Sequence, residues 1–141
     1  MKIMSIDLGK VRTGIAICDR SELLASPLKV IEERDRERLA NEISELALEN
    51  GIELIVVGLP KNMDGSEGDS AKGAREFVKL LGEKVAVKVD MYDERGTTIT
   101  AHNFLNVTDT RGKKRKSVVD SVAATIILQD YINYRKNNKA K

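Results

Sequence analysis

The run Met4-Ser5-Ile6-Asp7-Leu8-Gly9 places an acid inside an apolar segment and closes on a glycine. A second apolar run, Gly14-Ile15-Ala16-Ile17-Cys18, follows after Lys10-Val11-Arg12-Thr13. The pattern predicts two paired strands around a glycine-bounded turn. An ionised carboxylate in such a strand is costly to bury unless a metal ion or a cationic partner neutralises it. The fold must therefore bring other charged groups to Asp7.

The remaining pattern predicts strands over 2–8, 14–19 and 23–31, with Pro27 assigning the third to a sheet edge because it lacks an N–H. Apolar positions Leu39, Ile43, Leu46 and Ala47 recur at helical spacing, predicting a helix over 35–50 that Asn50-Gly51 ends. Residues 52–57 read as a strand buried on both faces. The turn-rich stretch 61–68 reads as a loop, and 71–81 as a helix capped by Ser70 and ended by Gly82. A fifth strand over 85–92 stops just before Asp93-Glu94-Arg95, and a short helix over 97–105 follows. The basic stretch 106–116 reads as an exposed loop, and 117–134 as the last helix. The expected fold class is α/β: a mixed five-stranded sheet, three antiparallel strands then two parallel, with helices on both faces. In open sheets of this kind the site lies beyond the carboxyl ends of the strands.

At 141 residues the chain fits one domain, taken as residues 1–135 with a polar tail at 136–141. Hydrophobic residues make up 41% and charged residues 33%, a balance that excludes a disordered chain. Trp is absent and aromatic residues are few, which argues against base stacking as the main binding device. Cys18 is the only cysteine and reads as a buried apolar residue, and His102, the only histidine, lacks the companions a zinc site needs. Without a signal segment or a long apolar run, a cytoplasmic protein away from the membrane is expected.

Three acids are candidates for one site. Asp7 lies on the first strand, Glu94 at the end of the fifth, and Asp120 near the start of the last helix. If strands one, four and five are neighbours and that helix packs over them, the three converge. Gathered carboxylates need a cation, and all-oxygen ligation suits Mg²⁺ or Mn²⁺. Paired ions of this type hydrolyse phosphodiesters. Each acid also fits a plainer role: Asp7 as a turn residue, Glu94 as an acid near a helix start, and Asp120 as part of the Ser117-Val118-Val119-Asp120 capping pattern.

The net charge of only +2 hides a local concentration of positive charge in Arg111-Gly112-Lys113-Lys114-Arg115-Lys116. Lys113, Lys114, Arg115 and Lys116 suit a phosphate backbone, as do Lys10, Arg12, Lys61, Asn62 and Arg95 at the same end of the sheet. A solvated, solubilising loop is the alternative for the run alone.

Four ordered motifs give the chain a family likeness. They are Asp7-Leu8-Gly9-Lys10-Val11-Arg12-Thr13-Gly14-Ile15-Ala16, residues 57–68 (Val-Gly-Leu-Pro-Lys-Asn-Met-Asp-Gly-Ser-Glu-Gly), Asp93-Glu94-Arg95, and Asp120-Ser121-Val122-Ala123-Ala124 with Ile127-Leu128-Gln129. Together they resemble the YqgF (RuvX-type) family of Holliday junction resolvases and nucleases of precursor 16S ribosomal RNA. The resemblance implies a ribonuclease H-like fold and metal-dependent nuclease chemistry. It also implies catalytic and metal-binding roles for Asp7, Glu94 and Asp120. Cys18 stands where the family often has a small polar residue. The implied substrate is structured precursor RNA, with branched DNA as the alternative. A monomer is preferred, although a resolvase would act as a dimer. Two other classes stay in view: a non-catalytic nucleic-acid binder, and a phosphotransferase, against which the chain length and the lack of a Walker loop both count.

Overall fold

The computed structural model describes residues 1–22, 24–59, 68–93 and 112–139. The strands are β1 (Ile3–Asp7), β2 (Arg12–Cys18), β3 (Ala25–Glu32), β4 (Leu54–Leu59) and β5 (Lys88–Asp93); the helices are α1 (Arg36–Glu49), α2 (Asp69–Lys84) and α3 (Gly112–Lys139). The sheet order is β3-β2-β1-β4-β5. β1 pairs antiparallel with β2 and β2 with β3, while β4 pairs parallel with both β1 and β5. This is the mixed five-stranded sheet that the pattern predicts. Strands one, four and five are neighbours, as a shared site requires.

Alternation along β1 divides the core. Met4 and Ile6 join Ile15, Leu39, Ile43, Ile55, Val57, Phe77 and Leu81 on the side covered by α1 and α2. Ile3 joins Ala16, Leu54, Val56, Ala124, Leu128 and Ile132 on the side covered by α3. β1 is buried on both faces, so its register cannot slip without moving an entire apolar set into the wrong layer.

Pro27 does lie on an edge strand. The β2–β3 register shifts between Ile15, opposite Lys29, and Ala16, opposite Pro27. A bulge at this point is a natural consequence of a residue that cannot donate to the ladder. Asp35 caps α1, its Oδ1 accepting from Glu37 N at 2.9 Å and Arg38 N at 3.2 Å. Gly51 ends the helix in the left-handed conformation, with φ +64°.

Several boundaries differ from the sequence expectation. α2 is capped at Gly68 with no side-chain bond, so Ser70 is inside the helix and not its cap. It also runs through Gly82 to Lys84, because buried Leu81 anchors the last turn and Val85 N still bonds Leu81 O at 3.1 Å. β5 starts at Lys88 and not at residue 85. β3 and β4 are likewise displaced by two residues at their starts. The largest change is α3, which begins at Gly112 and continues to Lys139. Lys113, Lys114, Arg115 and Lys116 therefore lie on a helix and not in a loop. Lysine and arginine are good helix formers, and extending an existing helix costs less than starting one. The expected loop at 61–68, apart from Gly68, the short helix at 97–105 and the 106–111 part of the expected basic loop lie outside the described residues. Among those described, no helix is long and apolar enough to cross a membrane.

Thr13 Oγ1 is buried without a hydrogen-bond partner among the described residues. Thr13→Val keeps the shape and removes the unsatisfied hydroxyl. It is expected to stabilise the protein by about 1 kcal/mol, a Tm rise of about 3 °C in thermal melts. A fall in Tm would mean that the hydroxyl is engaged.

Candidate active site

β1, β4 and β5 all run in the same direction, so Asp7, Leu59 and Asp93 mark one end of the sheet. Asp7 is half-buried and stands opposite Gly14. By alternation it shares the α3 side with Ile3 and Ser5. Gly9 then allows the turn to close, since a Cβ there would run into the Arg12 carbonyl oxygen.

The placement of α3 follows from its polar anchors. Ser5, fully buried, donates from Oγ to the Ala124 carbonyl at 2.6 Å. Gln129 Oε1 accepts from Ala25 N at 3.0 Å. Arg135 Nε donates to Glu22 Oε1 at 2.9 Å, and Glu22 Oε2 accepts from the Met1 ammonium, also at 2.9 Å. The carboxyl end of α3 thus lies by the start of β1, and the two elements run antiparallel. Stepping back four residues along the helix covers about 6 Å. Advancing two residues along the strand covers about 6.6 Å. From the Ser5–Ala124 contact, those steps bring the backbone of Asp120 level with that of Asp7.

Helical register adds to this. Ala124, Ile127 and Tyr131 are buried against the sheet, and Asp120 precedes them by four, seven and eleven residues, so it occupies the same stripe. Asp120 also stands eight residues inside α3. The plainer role as a cap at Ser117 is therefore overturned, because the helix has already begun at Gly112. β5 ends at Asp93, the residue before Glu94. Glu94, Arg95, Lys61 and Asn62 lie outside the described residues, as do the side chains of Asp120, Lys113, Lys114, Arg115 and Lys116. Among the described residues no three His, Cys, Asp or Glu side chains gather.

Lys10 is exposed in the turn after Asp7. Arg12 lies on the Asp7 side of β2, and its Nε donates to Glu32 Oε1 at 3.2 Å. Glu32 is 67% exposed, so the pair is a weak one.

Sequence reasoning missed three contributors. Arg36 donates from Nη1 to Gly9 O at 2.9 Å, fixing the turn. Ser5 sets the height of α3. Asp90 Oδ2 accepts from the Tyr131 hydroxyl at 2.9 Å, tying α3 to β5. Tyr92 packs edge-on against the same ring, with centroids 5.8 Å apart at 85°. Burial, with the Asp90 carboxylate adding to it, pushes the Tyr131 hydroxyl up to about 12, so it remains a donor at any working pH. The alternation Asp90-Tyr92 in β5 was the available signal for that contact.

A family model described as RuvX, Holliday junction resolvase, matches residues 1–134. The chain belongs to this family. A Clostridium botulinum protein named as a candidate pre-16S rRNA nuclease is 41% identical over 133 residues, covering 94% of this chain and 97% of that one. A Halothermothrix orenii protein of the same name is 42% identical over 135 residues, covering 96% of each. The RuvX chain also shares the fold of the Thermus thermophilus RuvC resolvase solved with a Holliday junction, at TM-score 0.61 and 16% identity, over 97% of this chain and 96% of that one. The fowlpox virus resolvase bound to junction DNA gives 0.57 at 12% identity, over 96% and 99%. The ribonuclease H-like fold expected from the motifs is thereby shown.

Two predictions concern the anchors of α3. Ser5→Ala removes one buried bond while the Ala124 carbonyl keeps its helical partner, so a loss of about 1 kcal/mol is expected in urea unfolding. A loss beyond about 3 kcal/mol would mean that the helix depends on the hydroxyl far more than one bond allows. Burial raises the Glu22 carboxyl, but hydrogen bonds from Arg135 and the terminal ammonium outweigh it and hold the group at about 2, below its ordinary 4.5. Its folded-state pKa is lowered, so its stabilisation is complete above about pH 4.5 and is lost as pH falls through about 2. Arg135→Gln should shrink the Tm difference between pH 5 and pH 2. An unchanged difference would show that the pair does not set that pH dependence.

Proposed function

We propose that this RuvX chain is a divalent-metal-dependent nuclease that matures the 5′ end of precursor 16S ribosomal RNA. The single observation carrying the reading is the antiparallel seating of α3 on β1, which brings Asp120 level with Asp7 on the same side of the sheet. The pre-16S names of its relatives support the substrate. The residues fit Mg²⁺ or Mn²⁺: the donors are hard carboxylates at the carboxyl end of a sheet, and two of them sit on elements tied together by a buried hydrogen bond. Asp7 and Asp120, with Glu94, would hold the metal. When bound, such an ion supplies Lewis acidity and lowers the pKa of an attacking water.

The chain's own residues contribute binding and orientation. Lys10 and Arg12 would hold phosphates at this end of the sheet, Arg12 by exchanging Glu32 for the substrate. Lys61, Asn62 and Arg95 would extend that grip. Lys113, Lys114, Arg115 and Lys116 now present their charge from a helix, which suits a duplex or folded strand with phosphates at fixed spacing. A cytoplasmic monomer of one domain, residues 1–135, fits this role. Cleavage of branched DNA is the second reading, favoured by the family's description, and would require a dimer with two sites.

The test incubates precursor 16S ribosomal RNA and a synthetic four-way DNA junction with Mn²⁺ or with chelator. Wild type should shorten the RNA at its 5′ end only with metal. Asp7→Asn should slow this about a thousandfold, equivalent to about 4 kcal/mol of lost transition-state stabilisation. Equal cleavage by both proteins would contradict the assignment, and cutting of the junction alone would favour the second reading.

A further inference from the structure

We propose that a cavity beside the β1–β2 turn is a phosphate subsite that grips the nucleic-acid strand away from the bond being cut. The proposal rests on the nuclease reading above. The cavity has a volume of about 200 Å³ and is lined by Leu8, Gly9, Lys10, Arg36, Asp69 and Gly73. It lies at the carboxyl end of the sheet on the α1–α2 side. Asp7 belongs to the α3 side, and the turn Leu8-Gly9-Lys10 separates the two. A strand crossing that turn passes from one to the other.

The lining selects an anion. Arg36 is held against the wall by its bond to Gly9 O, which uses one of the five N–H donors of the guanidinium. Lys10 is exposed and makes no ion pair or hydrogen bond with the described residues. Among the described residues lining the cavity, these two cations face one carboxylate, Asp69, which leaves that lining positive. No aromatic ring is among the described residues that line it, so they offer a base nothing to stack on. A planar guanidinium beside an ammonium suits the tetrahedral oxygens of a phosphodiester.

Gly73 is the third observation. It stands inside α2, where glycine costs about 1 kcal/mol relative to alanine. A Cβ at this position would meet nothing within 4 Å among the described residues, so no packing contact with them demands its absence. What the missing side chain does is keep the wall of the cavity low. Gly82, in the same helix, has equally open surroundings but does not line the cavity. It provides a matched control.

The experiment uses full-length protein carrying Asp7→Asn, so that RNA survives, and titrates a fluorescein-labelled RNA hairpin at several KCl concentrations. Gly73→Glu should weaken binding about tenfold at low salt and reduce the slope of log K against log salt by about one. Lys10→Gln should have a similar effect, and Asp69→Asn should tighten binding. Gly82→Glu, which adds the same charge elsewhere, should stay within about twofold of the parent, and Gly73→Ala, which raises the wall without adding charge, should weaken binding less than Gly73→Glu and leave the salt slope unchanged. Thermal melts establish that each variant folds. Unchanged affinity in Gly73→Glu, or an equal loss in Gly82→Glu, overturns the subsite while leaving the nuclease reading intact. Failure of the Asp7→Asn parent to bind the hairpin contradicts both.

Discussion

The close approach of α3 to β1 governs the rest of the molecule. Ala123 and Ala124 are small and buried, and the Ser5 hydroxyl reaches the helix backbone directly. A larger side chain at either place would hold the helix away from the strand. Because the approach is tight, the helix has one workable height on the sheet, and that height decides which residue of α3 faces the end of β1. The Arg135–Glu22 and Tyr131–Asp90 contacts flank the same helix on the β3 and β5 sides and resist its rotation.

The sheet contributes the other half of the constraint. β1 lies in the middle, buried on both faces, and β4 and β5 run parallel to it. Their carboxyl ends therefore point one way by topology, without any further contact. The last residues of β1 and β5, Asp7 and Asp93, reach that rim on opposite sides of β4, roughly 10 Å apart at the backbone. A separation of that size suits side chains joined through an ion better than direct contact, as the proposed centre requires.

Much of this was legible in the chain itself. The apolar acid-bearing strand, the edge assignment of Pro27, the Asn50-Gly51 stop and the family motifs pointed to the mixed five-stranded sheet and named three acids as candidates. Sequence patterns report local preference. Tertiary contacts prevailed over it at Gly82, Arg36 and Ser5, whereas at Ser117 the helix preference of the basic residues before it outweighed the capping pattern. Gly82 reads as a stop, yet buried Leu81 carries α2 past it. Ser117 reads as a cap, yet α3 has already run through the lysines. Arg36 reads as one more surface cation on an amphipathic helix, and only the folded turn shows that it holds Gly9. Ser5 reads as a neutral strand residue because nothing in its neighbourhood names Ala124 as its partner.

The central claim is that carboxylates from β1 and α3 share one divalent ion. Crystals grown with Mn²⁺ and measured at the manganese absorption edge locate that ion without reference to activity. The account predicts an anomalous peak about 2–2.5 Å from a carboxylate oxygen of Asp7 and of Asp120. A well-ordered peak elsewhere, or Asp7 and Asp120 carboxylates that no single ion can bridge, would contradict it.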